Sequence, residues 1–171
     1  MAEVKIEFFG DASAGRSIED AIYDMTQKAR NFDRFVDKVL EDNSGYILQK
    51  LKLRLWNYGT DGQGQPLESV SIRGADEQTH LKSVDRYLKW KRRMGFRSRP
   101  INARLTGAFW RSMKVFSHRG EMTIKASDPK TEDLIKIYGE DLLTLTNEEQ
   151  RWVMKTYVDP ALKDYLNKPS R

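Results

Sequence analysis

Adjacent carboxylates, two histidines and one dense run of cations are the groups in this chain whose types could support chemistry. The carboxylate pairs are Glu19-Asp20, Glu41-Asp42, Glu132-Asp133, Glu140-Asp141 and Glu148-Glu149. Paired acids can hold a divalent cation or divide the roles of general acid and base. Each pair here stands near an expected helix start or turn, where the helix dipole and solvent are reason enough for acidic residues. His80 and His118 lie 38 positions apart, and neither has a metal-ligand spacing around it. The absence of cysteine excludes disulfides, thiolate zinc sites and cysteine nucleophiles together. The stretch "DGQGQ" at 61–65 starts like a calcium loop but lacks acidic ligands at alternate positions and a closing glutamate. "GTDGQGQP" also lacks the Lys-Ser/Thr ending of a phosphate loop. No catalytic, cofactor-binding or metal site is expected, and the chain is not expected to be an enzyme.

The cations are the stronger signal. From His80 to Lys125 the chain carries thirteen basic and two acidic residues, a local net charge of +11, whereas the remainder carries −6. Within this segment Lys89, Lys91, Arg92, Arg93, Arg97 and Arg99 interleave with Tyr87, Trp90 and Phe96. Such a mixture can neutralise phosphates and stack on bases, as in loose contact with genomic DNA. It is equally suited to a solvated helix face or to an acidic protein surface. No zinc-finger, homeodomain or RNA-recognition pattern accompanies it. A basic middle flanked by acidic ends also allows each copy to present its basic region to an acidic region of a neighbour. These six cations are the candidate interaction surface.

Elements must position that surface. The length of 171 residues favours one domain spanning the whole chain, with a sizeable core. No apolar run is long enough to span a bilayer, and the start "MAEVKIEFFG" does not read as a secretory signal. Residues 1–16 are expected to form a strand or arm, with alternation over "VKIEFF" at 4–9. "SIED" then opens a helix with a near capping box. After it Ile18, Ile22, Met25, Ala29, Phe32, Val36 and Val39 recur at alternating spacings of four and three. That stripe packs on another helix, either within the chain or in a neighbouring copy. A second helix carries Leu48, Leu51 and Leu55 and stops at Gly59. Residues 57–78 form a long loop, and a further helix runs over about 79–94 with Leu88 and Lys91 at helical spacing.

Behind the basic run, "RLTGAFWRSMKV" reads as a structural junction. Thr106 is expected to cap a short helix and Gly107 to pivot the backbone. Leu105, Phe109 and Met113 would form its inner face, with Trp110 beside them. A hairpin with Gly120 in the turn follows. "TNEE" at 146–149 is a capping box for the last helix, and Asp159-Pro160 is expected to re-cap it. The fold class is α+β, with a long N-terminal helical region and a C-terminal helix packed on a small antiparallel sheet.

Taken in order, "DGQGQPL", "YLKWKRRMG", "LTGAFWRSMKV", the hairpin and "KIYGEDLLTLTNEE" before a terminal helix resemble a phage family. The chain is similar, over roughly residues 45–168, to the tail-completion or head–tail joining proteins of tailed phages. These are also called neck, virion morphogenesis or minor tail proteins. The family's "P-x-R-x-F" segment before the last helix is missing here, and the basic run is unusually dense. The resemblance implies a structural virion component, assembled in the bacterial host cytoplasm and located in the neck. It implies a ring of on the order of six or twelve copies that meets portal, connector or tail-tube proteins. No membrane partner is implied. The runner-up reading is a non-catalytic basic nucleic-acid-binding protein.

Overall fold

A computed structural model describes residues 17–67, 85–86, 88–103 and 107–168. The expected N-terminal arm, the outer part of the long loop, His80, Tyr87, Leu105 and Thr106 lie outside these residues.

Helix α1 (Ile18–Asp42) begins with the capping box that its sequence announces. The Asp20 amide donates to Ser17 Oγ at 3.1 Å, and the Ser17 amide donates to the Asp20 carboxylate at 3.3 Å. The break before α2 (Ser44–Asn57) is a single residue, Asn43, whose Nδ2 donates back to the Val39 carbonyl at 2.8 Å. Ile47, Leu51 and Leu55 on α2 are fully buried, and they place the α2 inner face at the centre of the protein. Past α2, Gly59 takes φ +61°, a left-handed conformation that glycine adopts without strain. The chain turns back so tightly there that a side chain at 59 would run into the Ile101 carbonyl.

Residues 88–93 form α3, which buries Leu88 and Lys91 and is followed by Gly95 at φ +73°. An extended run through Ile101 and Asn102, both fully buried, leads to α4 (Ala108–Ser112). Strands β1 (Met113–His118) and β2 (Glu121–Ala126) then pair antiparallel from Met113 opposite Ala126 to His118 opposite Glu121. Arg119 and Gly120 make the turn, both at positive φ, as a two-residue turn matched to strand twist requires. The alternation is as read from the sequence: Ile124 is buried and Glu121, Thr123 and Lys125 are exposed. Helices α1 and α2 both pack on β1, so the architecture is α+β with a two-stranded sheet.

Helix α5 (Thr131–Tyr138) and a 3-10 turn (Glu140–Leu143) connect the sheet to α6 (Asn147–Val153). The second capping box is also formed, Thr146 Oγ1 accepting from the Glu149 amide and Glu149 accepting from the Thr146 amide. The expected re-capping at Asp159 does not occur. Asp159 is helical (φ −60°, ψ −45°), and the chain passes from α6 through a π-helical turn (Met154–Val158) into α7 (Asp159–Asn167). Pro160 lacks the N–H that would continue the regular ladder, and the wider turn ahead of it takes up the gap. One hydrophobic cluster runs from Val36 to Val158 and joins these pieces up to the π-helical turn, with no residue of α7 in it.

Candidate interaction surface

The six cations singled out in the sequence do not share one fate. Lys91 is a correction: it is 2% exposed, and its Nζ donates to Asn102 Oδ1 at 2.9 Å. It lies one turn beyond Leu88 on the inner face of α3, so it belongs to the core and cannot meet a partner. Lys89 is exposed and paired with Asp85 at 2.6 Å, an (i, i+4) surface contact of little energetic weight. Arg92, Arg93, Arg97 and Arg99 are exposed. The Arg97 guanidinium sits 6.0 Å from the centre of the Trp56 ring, and its Nε donates to the Arg99 carbonyl at 2.8 Å. Phe96, half-exposed, tilts against Trp90 with ring centres 5.9 Å apart. What remains of the candidate surface is four exposed arginines and half-exposed Phe96.

The junction behind it is architecture. Gly107 is buried at φ +82° in the cap position of α4, and no side chain caps that helix. The expected cap, Thr106, lies outside the described residues, and the helix starts at Ala108. Phe109 is 5% exposed and Met113 3%, as expected of an inner face. Trp110 Nε1 donates to the Asn102 carbonyl at 3.2 Å, and its ring meets the edge of Trp56 at 6.1 Å. Ser112 supplies a link that the sequence did not reveal: its Oγ donates to the Phe109 carbonyl and accepts from the Asp128 amide beyond β2.

The other motifs also meet. In the "DGQGQPL" loop, buried Asp61 accepts from the amides of Gln63 and Gln65, which closes the turn. The Gly62 amide donates to the Asp141 carbonyl of "KIYGEDLLTLTNEE" at 2.8 Å. A Cβ at Gly62 would stand 1.8 Å from Thr144 Oγ1. Arg54 ties both segments to α2. Its guanidinium donates to the Thr60 and Thr144 carbonyls and forms a 2.6 Å ion pair with Glu149. Burial lowers the pKa of this guanidinium, and the Glu149 carboxylate opposes that lowering. The hairpin is held separately. Asp37 on α1 accepts from Ser117 Oγ and from the amides of Arg119 and Gly120. The Ser117 hydrogen bond is the main reason that its pKa lies below the ordinary aspartate value.

The stripe on α1 divides into two halves. Toward the C-terminus Val36 is buried and Val39 is half-buried against the core, beside buried Leu40, which makes the intramolecular seam. Toward the N-terminus Ile18, Ile22, Met25 and Phe32 are exposed, Ile22 by 60% and Met25 by 71%. This half of α1 attaches to α7 through a different face. Buried Lys28 pairs with Asp24 at 2.7 Å and donates to the Leu166 carbonyl, Tyr165 Oη donates to the Lys28 carbonyl, and Phe35 stacks on Tyr165. The apolar face is therefore left as a ridge. On the outside of α2, Gly45, Gln49, Lys52, Leu53 and Trp56 line an open groove of about 230 Å³ that Trp110 closes at one end.

Among the described residues no group of three or more histidines and carboxylates is placed to hold a metal ion, and no helix is long and apolar enough to cross a membrane. Comparison with family models, with curated proteins and with solved structures returned no match.

Proposed function

We propose that the chain is a structural virion protein of a tailed phage, part of the neck ring that joins portal or connector to tail. The observation that carries this reading is a division of labour between motif and surface. The "DGQGQPL" loop and the "TNEE" segment spend their polar groups on each other through Gly62, Asp141, Arg54 and Glu149. The basic helix and α4 meet through Asn102, which accepts from Lys91 and from Trp110. What stays exposed is an apolar ridge, an aromatic groove and four arginines. These are surfaces for assembly rather than a pocket for turnover.

The test is to purify particles and determine whether the chain is present in fixed copy number at the neck. A phage lacking the gene is complemented in parallel with Arg92→Glu, Arg93→Glu and Arg97→Glu combined. Heads and tails that fail to join support the reading, and normal infectious particles reject the placement of an interface at these arginines. The second reading, a basic nucleic-acid-binding protein, draws on the exposed arginines beside Trp90 and Phe96. It requires normal assembly of the same variant together with loss of a steeply salt-dependent DNA affinity.

A further inference from the structure

We propose that copies of this chain join head to tail, with the exposed α1 ridge of one copy seated in the groove between α2 and α4 of the next. The inference deepens the assembly reading and rests on it. The ridge from Ile18 to Phe32 keeps strict four-three spacing, the pattern of a seam that seats against another helix. At a rise of about 1.5 Å per residue it is roughly 21 Å long, and the α2 face from Gly45 to Trp56 is roughly 16 Å long. The two surfaces match in length to within about one helical turn.

The groove is built to admit a neighbour's side chains. Gly45 lies inside α2 without a positive φ, and a Cβ there would touch nothing within 4 Å. Nothing in the described fold demands its bareness in the first turn of α2. Leu53, 47% exposed, lies between Gly45 and the edge-to-face Trp56–Trp110 pair. Lys52 reaches into the groove with no carboxylate at ion-pair distance among the described residues. Partial burial alone lowers its pKa. Arg97 adds a second cation over Trp56.

The free edge of the ridge carries two carboxylates and one cation, Arg30, and is acidic on balance. Glu19 and Asp33, both exposed, are fourteen residues apart and lie on the same side of the stripe. Its other edge, with Lys28 and Phe35, is already committed to α7. The groove offers these carboxylates two cations, Lys52 and Arg97, whereas a second ridge offers one cation, Arg30, and two carboxylates, which favours the groove over ridge-on-ridge pairing. A parallel ridge pair would also need the committed edge. Acid edge against cationic groove is the favoured arrangement, and a contact between two different patches closes into a ring when its rotation permits.

The absence of native cysteine makes cross-linking clean. Met25→Cys and Leu53→Cys are made as separate full-length proteins, mixed in equal amounts and oxidised mildly over a concentration series. The mixed disulfide should form at least about tenfold faster than either homodimer, since only it joins ridge to groove. Met25–Met25 cross-links that form as fast, or no mixed product at millimolar protein, would overturn the proposal. Asp33→Lys on the Met25→Cys protein should slow the mixed product, and Lys52→Glu on the Leu53→Cys protein should restore it. Absence of that rescue rejects the charge alignment. If the chain is missing from virions while the cross-links stay selective, the phage reading fails and the interface stands. If it is present and the cross-links are unselective, the interface alone fails.

Discussion

Arg54 on α2 and Glu149 on α6 form a 2.6 Å ion pair although 95 residues separate them, and both side chains are more than nine-tenths buried. Two backbone carbonyls accept from the Nε and the second terminal nitrogen, so each guanidinium nitrogen has an acceptor. Removing one partner should cost far more than removing both. Glu149→Gln leaves a buried cation without its counter-ion and should cost about 3–5 kcal/mol. Arg54→Met with Glu149→Leu should recover most of that loss. Urea unfolding of the wild type, the single and the double variant checks the ordering, and a single variant as stable as wild type would refute the account.

Lys91 and its neighbours Arg92 and Arg93 make an internal control for the division between core and surface. Lys91→Glu places an acid against Asn102 Oδ1 in the core and should leave little folded protein at 25 °C. Arg92→Glu with Arg93→Glu should change stability by less than about 1 kcal/mol, because both side chains stand in water. Thermal melts by circular dichroism separate the two outcomes.

Gly62 and Gly64 share one loop, and substitution of each should fail for a different reason. A methyl group at 62 would collide with Thr144 Oγ1 and crowd the Asp141 carbonyl, so Gly62→Ala should cost about 1–3 kcal/mol. At Gly64 there is open space but φ is +79°, and Gly64→Ala should cost about 1 kcal/mol of backbone strain alone. Gly64→Asn should cost less than Gly64→Ala, since asparagine tolerates that conformation. Equal melting temperatures for Gly62→Ala and the wild type would break the proposed contact between loop and 3-10 turn.

The Asp37 carboxylate fixes the pH response of the hairpin. Its folded pKa is lowered, chiefly by the Ser117 hydroxyl. Its contribution is therefore complete above the unfolded aspartate pKa and is lost as pH falls through the lower folded value. Urea midpoints taken from about pH 6 to about pH 3 should fall more steeply for the wild type than for Asp37→Asn, with the two curves converging at the acid end. Parallel curves would show that the hairpin does not depend on that charge.

The features legible in the sequence were those set by neighbours along the chain. Ser17 with Asp20, Thr146 with Glu149 and the Arg119-Gly120 turn each complete their hydrogen bonds within a few residues, so spacing alone reveals them. Lys91 belonged at once to a cationic run and to the apolar spacing of α3, and only the burial of Asn102, eleven residues on, decides between the two. Arg54 with Glu149 and Asp37 with Ser117 join elements that no local pattern brings together. For α1 the periodicity showed that a partner was needed along the whole stripe, but it could not say where the chain's own core stops. The core stops near Val36 because α7 reaches the N-terminal half through Lys28 and Tyr165, on another face of the helix.

The π turn at Met154–Val158 acts as a phase shifter in the C-terminal rod. Trp152, before the turn, meets Tyr157, inside it, edge to face, and Tyr157 stacks toward Tyr46 of α2. On the far side Tyr165 stacks on Phe35 of α1. Each added residue in a helix turns the following faces by about 100°, so the one-residue expansion aims the two ends at different neighbours. Deleting a single residue there would leave both helices intact and rotate α7 away from α1, detaching the support that holds the ridge outward. The tuning element of the exposed ridge is thus located more than a hundred residues away from it, in a helix that contributes nothing to its surface.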